Sequence, residues 1–148
     1  MPFVTTHLNW KLHHGWVRER QVLALATLVE EWSAGLELPP VLVGDLNADP
    51  DSNEVRFLSG LASLEGRSTC LHDAWRVAGD GSPGYTWDNR NPYAHYGFEP
   101  DRRIDYIFVG PADVHGRGWI DSAELAFSEP RGEVFASDHF GVVAEIRV

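Results

Sequence analysis

Hydrophobic residues alternate with polar ones along several short segments of this chain, and a period of two is typical of a β-strand. It predicts strands over residues 3–8, 103–109, 119–127 and 142–148, and a shorter one over residues 85–87. The uninterrupted apolar run at residues 41–43 predicts a buried strand. In the first strand, one face carries Val4, Thr6 and Leu8, and the other carries Phe3, Thr5 and His7.

Other segments carry hydrophobic residues at helical spacing. Residues 17–32 predict an amphipathic helix with Arg18 and Glu19 on its exposed face. Its buried face is expected to hold Val22, Leu25, Ala26, Val29 and Trp32. A second helix starts after Asp51 or Ser52 and buries Val55, Leu58, Leu61 and Ala62. Residues 71–78 predict a short third helix. Helices that alternate with apolar strands predict an α/β sandwich.

The stretch Gly44-Asp45-Leu46-Asn47 follows the buried run at residues 41–43. In an extended chain the side chains of Asp45 and Asn47 project to the same side, and Gly44 leaves room beside the carboxylate. A carboxylate and an amide at the end of a buried strand suit metal-assisted phosphate chemistry. The alternative is that the two residues only cap the strand and start a turn at Asp49-Pro50.

Composition narrows the class of protein. A length of 148 residues predicts one domain, and no stretch has the length of a membrane span. The first residues lack the pattern of a secretory signal, and Cys70 is the single cysteine, so a cytoplasmic location is expected. The net charge of −10 argues against a broad positively charged surface that binds nucleic acid. Arg90, Arg102 and Arg103 nevertheless fall in one loop-rich region, where a local basic cluster could form.

Four polar clusters lie at predicted strand ends: Thr6-His7, Asp45-Leu46-Asn47, Arg103-Ile104-Asp105-Tyr106 and Ser137-Asp138-His139. Each has a structural alternative when it is taken singly. His7 is then an edge histidine, Asp105 pairs with Arg103 or a backbone amide, and Asp138-His139 is a turn.

Together and in this order, the clusters resemble the endonuclease/exonuclease/phosphatase superfamily, which has the deoxyribonuclease-I-like fold. The matching stretches are Val4-Thr5-Thr6-His7-Leu8, Gly44-Asp45-Leu46-Asn47-Ala48-Asp49-Pro50, Tyr85-Thr86-Trp87, Arg103-Ile104-Asp105-Tyr106-Ile107-Phe108 and Ser137-Asp138-His139-Phe140-Gly141-Val142. The resemblance implies one half of such a sandwich: a mixed β-sheet with helices packed on one face. Residues 1–148 correspond to the C-terminal half of the family domain.

The resemblance also implies hydrolysis of phosphate esters with water as nucleophile and Mg²⁺, or Mn²⁺, as cofactor. Asp45 would activate the water, and Asn47 would hold the phosphoryl group. His139 would act at the phosphate with Asp105 behind it, and His7 would donate to a non-bridging oxygen. Asp138 and Asp45 would bind the metal.

Further residues are assigned with open alternatives. Trp87, Asn91 and Arg103 are candidate substrate contacts, with core packing or salt bridging as the alternatives. His13, His14 and His95 are expected to be exposed loop histidines, with adventitious metal binding as the alternative. The substrate is a nucleic acid, a phospholipid headgroup or a small phosphodiester, and specificity is assigned to the loops at residues 9–16 and 88–101.

A half-domain raises a packing problem, because the family's metal-binding Glu and second sheet belong to the other half. We expect the face of Ile104, Tyr106 and Phe108 to be uncovered unless a homodimer or an N-terminal half covers it. The alternative function is therefore a catalytically incompetent half-domain that serves as a binding or assembly module.

Overall fold

The strands of the chain form two separate sheets in a computed structural model that describes residues 1–95 and 98–148. The elements are β1 (Phe3–His7), α1 (Gly15–Ser33), β2 (Val41–Asp45), α2 (Asn53–Leu58), β3 (His72–Asp73), α3 (Ala74–Ala78), β4 (Asp105–Val109), β5 (Ile120–Ala126) and β6 (Gly141–Ile146). Residues 96 and 97, which belong to the predicted polar loop 88–101, lie outside this description. The α/β prediction is confirmed.

The larger sheet has four strands in the order β1-β2-β4-β3 and is mixed. β1 runs parallel to β2, while β4 runs antiparallel to both β2 and β3. His7 is opposite Asp45 in the first pair, and Asp45 is opposite Asp105 in the second. The register therefore aligns these three residues in one row across the end of the sheet.

One face of this sheet is covered by α1 and α2. The buried cluster between them includes Val4, Val22, Ala26, Leu42, Phe57, Tyr106 and Phe108. Arg18 of α1 is also buried, which contradicts its expected exposure. Its Nε atom donates to Oε1 of Glu54 at 2.7 Å, and both side chains are almost fully enclosed. A buried arginine is tolerated here because a carboxylate compensates its charge.

The opposite face is partly covered by the β5–β6 hairpin and α3, through a second cluster that includes Val41, Trp75, Val109, Ile120 and Ala123. An apolar groove of about 400 Å³ remains between the hairpin and the sheet. Phe3 lines this groove and is 59% exposed. The prediction that the face of Ile104, Tyr106 and Phe108 is uncovered was wrong, because all three side chains are buried. The exposed apolar surface lies on the opposite face of the sheet, in this groove.

Several element boundaries differ from the prediction. α2 ends at Leu58, so Leu61 is exposed instead of buried, and Trp32 near the end of α1 is exposed as well. The predicted strand at residues 85–87 is a single bridge between Trp87 and Arg102. The third helix is preceded by the short strand β3, whose Asp73 caps α3 through the backbone amide of Trp75.

Within the described residues, no helix combines the length and the apolar composition that crossing a membrane requires.

Gly44 is required where β1 and β2 pair, and we expect Gly44→Ala to destabilise the protein strongly. The residue has a φ of 143°, and an added Cβ would overlap the carbonyl oxygen of Thr6. Backbone cannot yield as a flexible side chain does, so the cost is expected to be roughly 3 kcal/mol or more in urea unfolding.

Gly66→Ala is the matched control, because Gly66 also has a positive φ, 74°, but nothing within 4 Å of the added Cβ. Its expected cost is about 1 kcal/mol, from backbone strain alone. Equal losses in the two variants would contradict the steric explanation.

Candidate active site

The end of the four-stranded sheet presents a row of three titratable side chains. His7 and Asp45 are the last residues of β1 and β2, and Asp105 is the first residue of the antiparallel strand β4. Nε2 of His7 lies 3.3 Å from Oδ2 of Asp45. The strand pairing therefore brings together three of the predicted catalytic residues.

His139 reaches this row from the second sheet. It precedes β6, and its Nδ1 atom is 2.8 Å from Oδ2 of Asp105. A carboxylate at Nδ1 favours the tautomer with hydrogen on that nitrogen and leaves Nε2 to act on a ligand. The predicted Asp105–His139 dyad is thus formed across the two sheets.

Thr86 holds both members of the dyad in place, and it is fully buried. Its hydroxyl accepts from the backbone amides of Ile104 and Asp105 at 3.1 and 3.2 Å. Its carbonyl accepts from the amide of Phe140 at 2.7 Å. Thr86 lies in one of the stretches that carry the resemblance, but the sequence had given it no role.

Asn91 also positions the His139 segment. Its side chain is fully buried, donates from Nδ2 to the carbonyl of Ser137 at 2.8 Å, and accepts from the amide of Tyr93 at 3.0 Å. The structure therefore places this predicted substrate contact in the packing of two loops.

Asn47 lies beyond the end of β2, in a turn with a φ of 50°. Its backbone amide donates to Oδ1 of Asp45 at 2.7 Å, and its Nδ2 donates to the carbonyl of Leu8 at 3.1 Å. One Nδ2 hydrogen serves that bond, which leaves the second for a ligand. The turn brings Asn47 beside Asp45, as predicted, although not through strand alternation.

His7, Asp45, Asn47 and His139 line a pocket of about 220 Å³. Its walls are His7, Trp10, Asp45, Asn47, Trp87, Glu99, Arg102, Ile104 and His139. The predicted contact Trp87 meets His139 edge to face, with ring centroids 5.2 Å apart. Trp10 and Arg102 were not predicted to line the site. For Trp10, the sequence offered one indication of a place in the site, which is its position three residues after His7.

A divalent cation fits a donor set at this end of the sheet. Asp45, Asp105 and His139 each offer a ligand atom, and these atoms lie within 4.8 Å of one another. Carboxylate oxygens suit both Mg²⁺ and Mn²⁺. The predicted ligand Asp138 is exposed and accepts a hydrogen bond from Ser137, outside this group of three.

The environment shifts the pKa values of two site residues upward. Burial raises the pKa of Asp45, and the negative charge of Asp105 adds to the effect. For His139, burial opposes protonation, but the hydrogen bond and charge of Asp105 outweigh it and raise the pKa above 6.5. The environment therefore shifts the pKa of both groups upward from their usual values.

The arginines near the site are paired with carboxylates. Arg103, a predicted substrate contact, is buried and donates to Asp73 at 2.8 Å instead of lining the pocket. Arg102 pairs with Asp49 and Glu99. Arg90 pairs with Asp88 at 2.8 Å. The positive charge of these three arginines is thus neutralised by acidic neighbours.

A protein-family profile matches most of this chain, including the strands that carry the site. The profile described as "Endonuclease/Exonuclease/phosphatase family" matches residues 2–139. Among curated protein sequences, none matches the chain significantly.

Solved structures resemble the chain over almost its whole length. Truncated TDP2 from Caenorhabditis elegans is 22% identical with a TM-score of 0.70, and the match covers 98% of this chain and 54% of that one. The human Nocturnin catalytic domain with bound sulfate is 21% identical with a TM-score of 0.63, covering 95% and 45%. The mannosyl-6-phosphatase Bt3783 of Bacteroides thetaiotaomicron is 21% identical with a TM-score of 0.65, covering 97% and 50%. The chain spans about half the length of these proteins and has their deoxyribonuclease-I-like fold.

We expect Asp45→Asn to raise the melting temperature at neutral pH. The folded-state pKa of Asp45 lies above its unfolded value of 3.8, so the wild type loses stability as pH rises through this interval. Asparagine keeps the acceptor for the amide of Asn47 and removes the charge. The advantage of the variant should vanish below pH 3.8.

Thermal unfolding monitored by circular dichroism across this pH range measures the difference. Asp121→Asn is the control, because the hydrogen bond from Arg147 lowers the pKa of Asp121 and its charge is favourable. A gain in Asp121→Asn, or none in Asp45→Asn, would contradict the electrostatic explanation.

Proposed function

Because the chain belongs to the endonuclease/exonuclease/phosphatase family, we propose that it hydrolyses phosphate esters with water as the nucleophile. The observation that carries the proposal is the Asp105–His139 hydrogen bond of 2.8 Å, formed beside Asp45 at one end of the sheet. An activated carboxylate next to an oriented imidazole is an arrangement suited to proton transfer at a phosphoryl group.

Asp45 and the Asp105–His139 dyad activate the water in this proposal. The water oxygen forms a bond to phosphorus, and the bond between phosphorus and the leaving-group oxygen breaks. The proton of the water passes to the carboxylate of Asp45, whose raised pKa makes it a stronger base than an ordinary aspartate. The leaving-group oxygen takes a proton from solvent. His139, oriented by Asp105, directs Nε2 at the reacting group.

Negative charge on the phosphoryl oxygens is met by hydrogen-bond donors of the pocket. The second amide hydrogen of Asn47 and the imidazole of His7 are assigned this role. A bound Mg²⁺ or Mn²⁺ would supply Lewis-acid stabilisation of the same charge. Asp45 and Asp138 are the ligands predicted for it, and the position of Asp105 supports its carboxylate as a further ligand.

The substrate class extends from nucleic acid and phospholipid headgroups to small phosphate esters. A TDP2 structure from D. rerio holds a single-strand DNA product, and the Bacteroides thetaiotaomicron protein is a mannosyl-6-phosphatase. In this chain the paired arginines and the net charge of −10 favour a small ester over a long polyanion.

Hydrolysis of bis-p-nitrophenyl phosphate by the purified chain tests the proposal. We expect Mg²⁺- or Mn²⁺-dependent release of p-nitrophenol that EDTA abolishes. His139→Ala and Asp45→Ala should each lower kcat/KM by about 100-fold or more, because each removes a group that acts on the reacting atoms.

His115→Ala is the matched control, since His115 is an exposed histidine of the turn before β5 and should leave the rate unchanged. Circular dichroism confirms that each variant is folded. Activity that survives both site substitutions, or that needs no metal, would overturn the proposal.

The second candidate is a binding or assembly module, and the apolar groove favours it. Phe3, Val43, Ile107 and Val142 line this groove of about 400 Å³ on the partly covered face of the sheet. Uncovered apolar surface of this kind marks contacts with other proteins. The proposed occupant is a second copy of this chain, which would place another sheet against the first, and an N-terminal half is the alternative.

Light scattering coupled to size exclusion tests the assembly. We expect a dimer, and Ile107→Asp should convert it to a monomer because a charge would be buried in the contact. Glu124→Lys, on an exposed position of β5, is the control for a change of charge alone. A monomeric wild type would contradict self-association and leave the enzymatic proposal standing.

A further inference from the structure

Trp10 lines two neighbouring cavities and is largely exposed. It lines the catalytic pocket together with His7 and Asp45, and it also lines an outer cavity of about 270 Å³. Its side chain is 68% exposed, so one ring face is available to a ligand. A ligand held by its phosphoryl group in the inner pocket would extend past this ring.

The loop that carries Trp10 is held firmly by the buried guanidinium of Arg18. Its Nη1 donates to the carbonyls of Asn9 and Lys11 at 3.3 and 2.8 Å, and its Nη2 donates to that of Leu12 at 3.4 Å. Glu54 fixes the same guanidinium through Nε. These bonds therefore fix the backbone of the loop on both sides of Trp10.

The outer cavity has the chemistry of a site for a planar heterocycle. It is lined by Trp10, Lys11, Leu12, His13 and Glu99. The indole and the Leu12 side chain provide apolar surface, while the ammonium, imidazole and carboxylate provide donors and acceptors for a polar ring edge. The ammonium of Lys11 lies 5.9 Å from the centroid of the Trp10 ring.

We infer that Trp10 is a stacking platform for the heteroaromatic ring of a small phosphate ester of the mononucleotide class. The inference rests on the proposed function for the location of the phosphoryl group. Stacking on tryptophan tolerates different bases, because every base has a π-face. The arginines next to the pocket are paired with carboxylates, so they form no positively charged surface along which a longer phosphate backbone could bind.

Equilibrium binding without turnover tests the platform. The probes are the phosphonate analogues of adenosine 5′-phosphate and ribose 5-phosphate, in which a methylene group replaces the ester oxygen and prevents hydrolysis. Isothermal titration calorimetry with Mg²⁺ present should show that the adenosine compound binds the wild type about tenfold more tightly or better, as expected for one stacked base. Trp10→Ala should abolish this difference, and Trp10→Phe should retain part of it.

Trp16→Ala is the matched control, because Trp16 is similarly exposed, at 65%, and lies outside both cavities. It should keep the preference for the adenosine compound. Equal binding of the two probes by the wild type, or a preference that survives in Trp10→Ala, would overturn the inference. If Trp10→Ala weakened the binding of both probes equally, the inference would also be overturned, because Trp10 would then contact the sugar or support folding. These outcomes are independent of the hydrolysis assay, which tests the proposed function.

Discussion

The register between β1, β2 and β4 is the constraint on which the site depends. It aligns His7, Asp45 and Asp105 in one row, and a shift of one residue would turn each side chain to the opposite face. Gly44 keeps this register tight, because a Cβ there would meet the backbone of β1. The same alternation that buries Tyr106 and Phe108 under the helices therefore directs Asp105 toward the hairpin and His139.

The second requirement is a connection between the two sheets, and loops supply it. The Asp105–His139 bond crosses from one sheet to the other, and Thr86 binds backbone on both sides of that crossing. Asn91 adds a bond to the carbonyl of Ser137. Residues between the strands thus fix the imidazole, which explains why short loop stretches carry as much of the family resemblance as the strands do.

The sequence predicted the parts of the site that follow from chain-local periodicity. Strand alternation placed His7 and Asp105 on the faces opposite Val4 and Tyr106, as the structure confirms. It could not predict which neighbour covers each face, because that depends on packing between distant segments. The buried position of Arg18 depends on Glu54, which lies 36 residues further along. Arg103 is likewise withdrawn from the pocket by Asp73, a partner that no local pattern identifies.

The charges in the row of His7, Asp45 and Asp105 affect both the stability of the folded chain and the ligands that the row can bind. Burial and the nearby charge of Asp105 make the ionised form of Asp45 unfavourable, and the backbone amide of Asn47, His139 and His7 partly offset this effect. The neighbouring arginines are committed to other carboxylates. A divalent cation at the row would relieve the repulsion between the two aspartates, and a ligand that binds only the folded chain stabilises it. The charge that is unfavourable in the folded chain would therefore also favour binding of a divalent cation at this row.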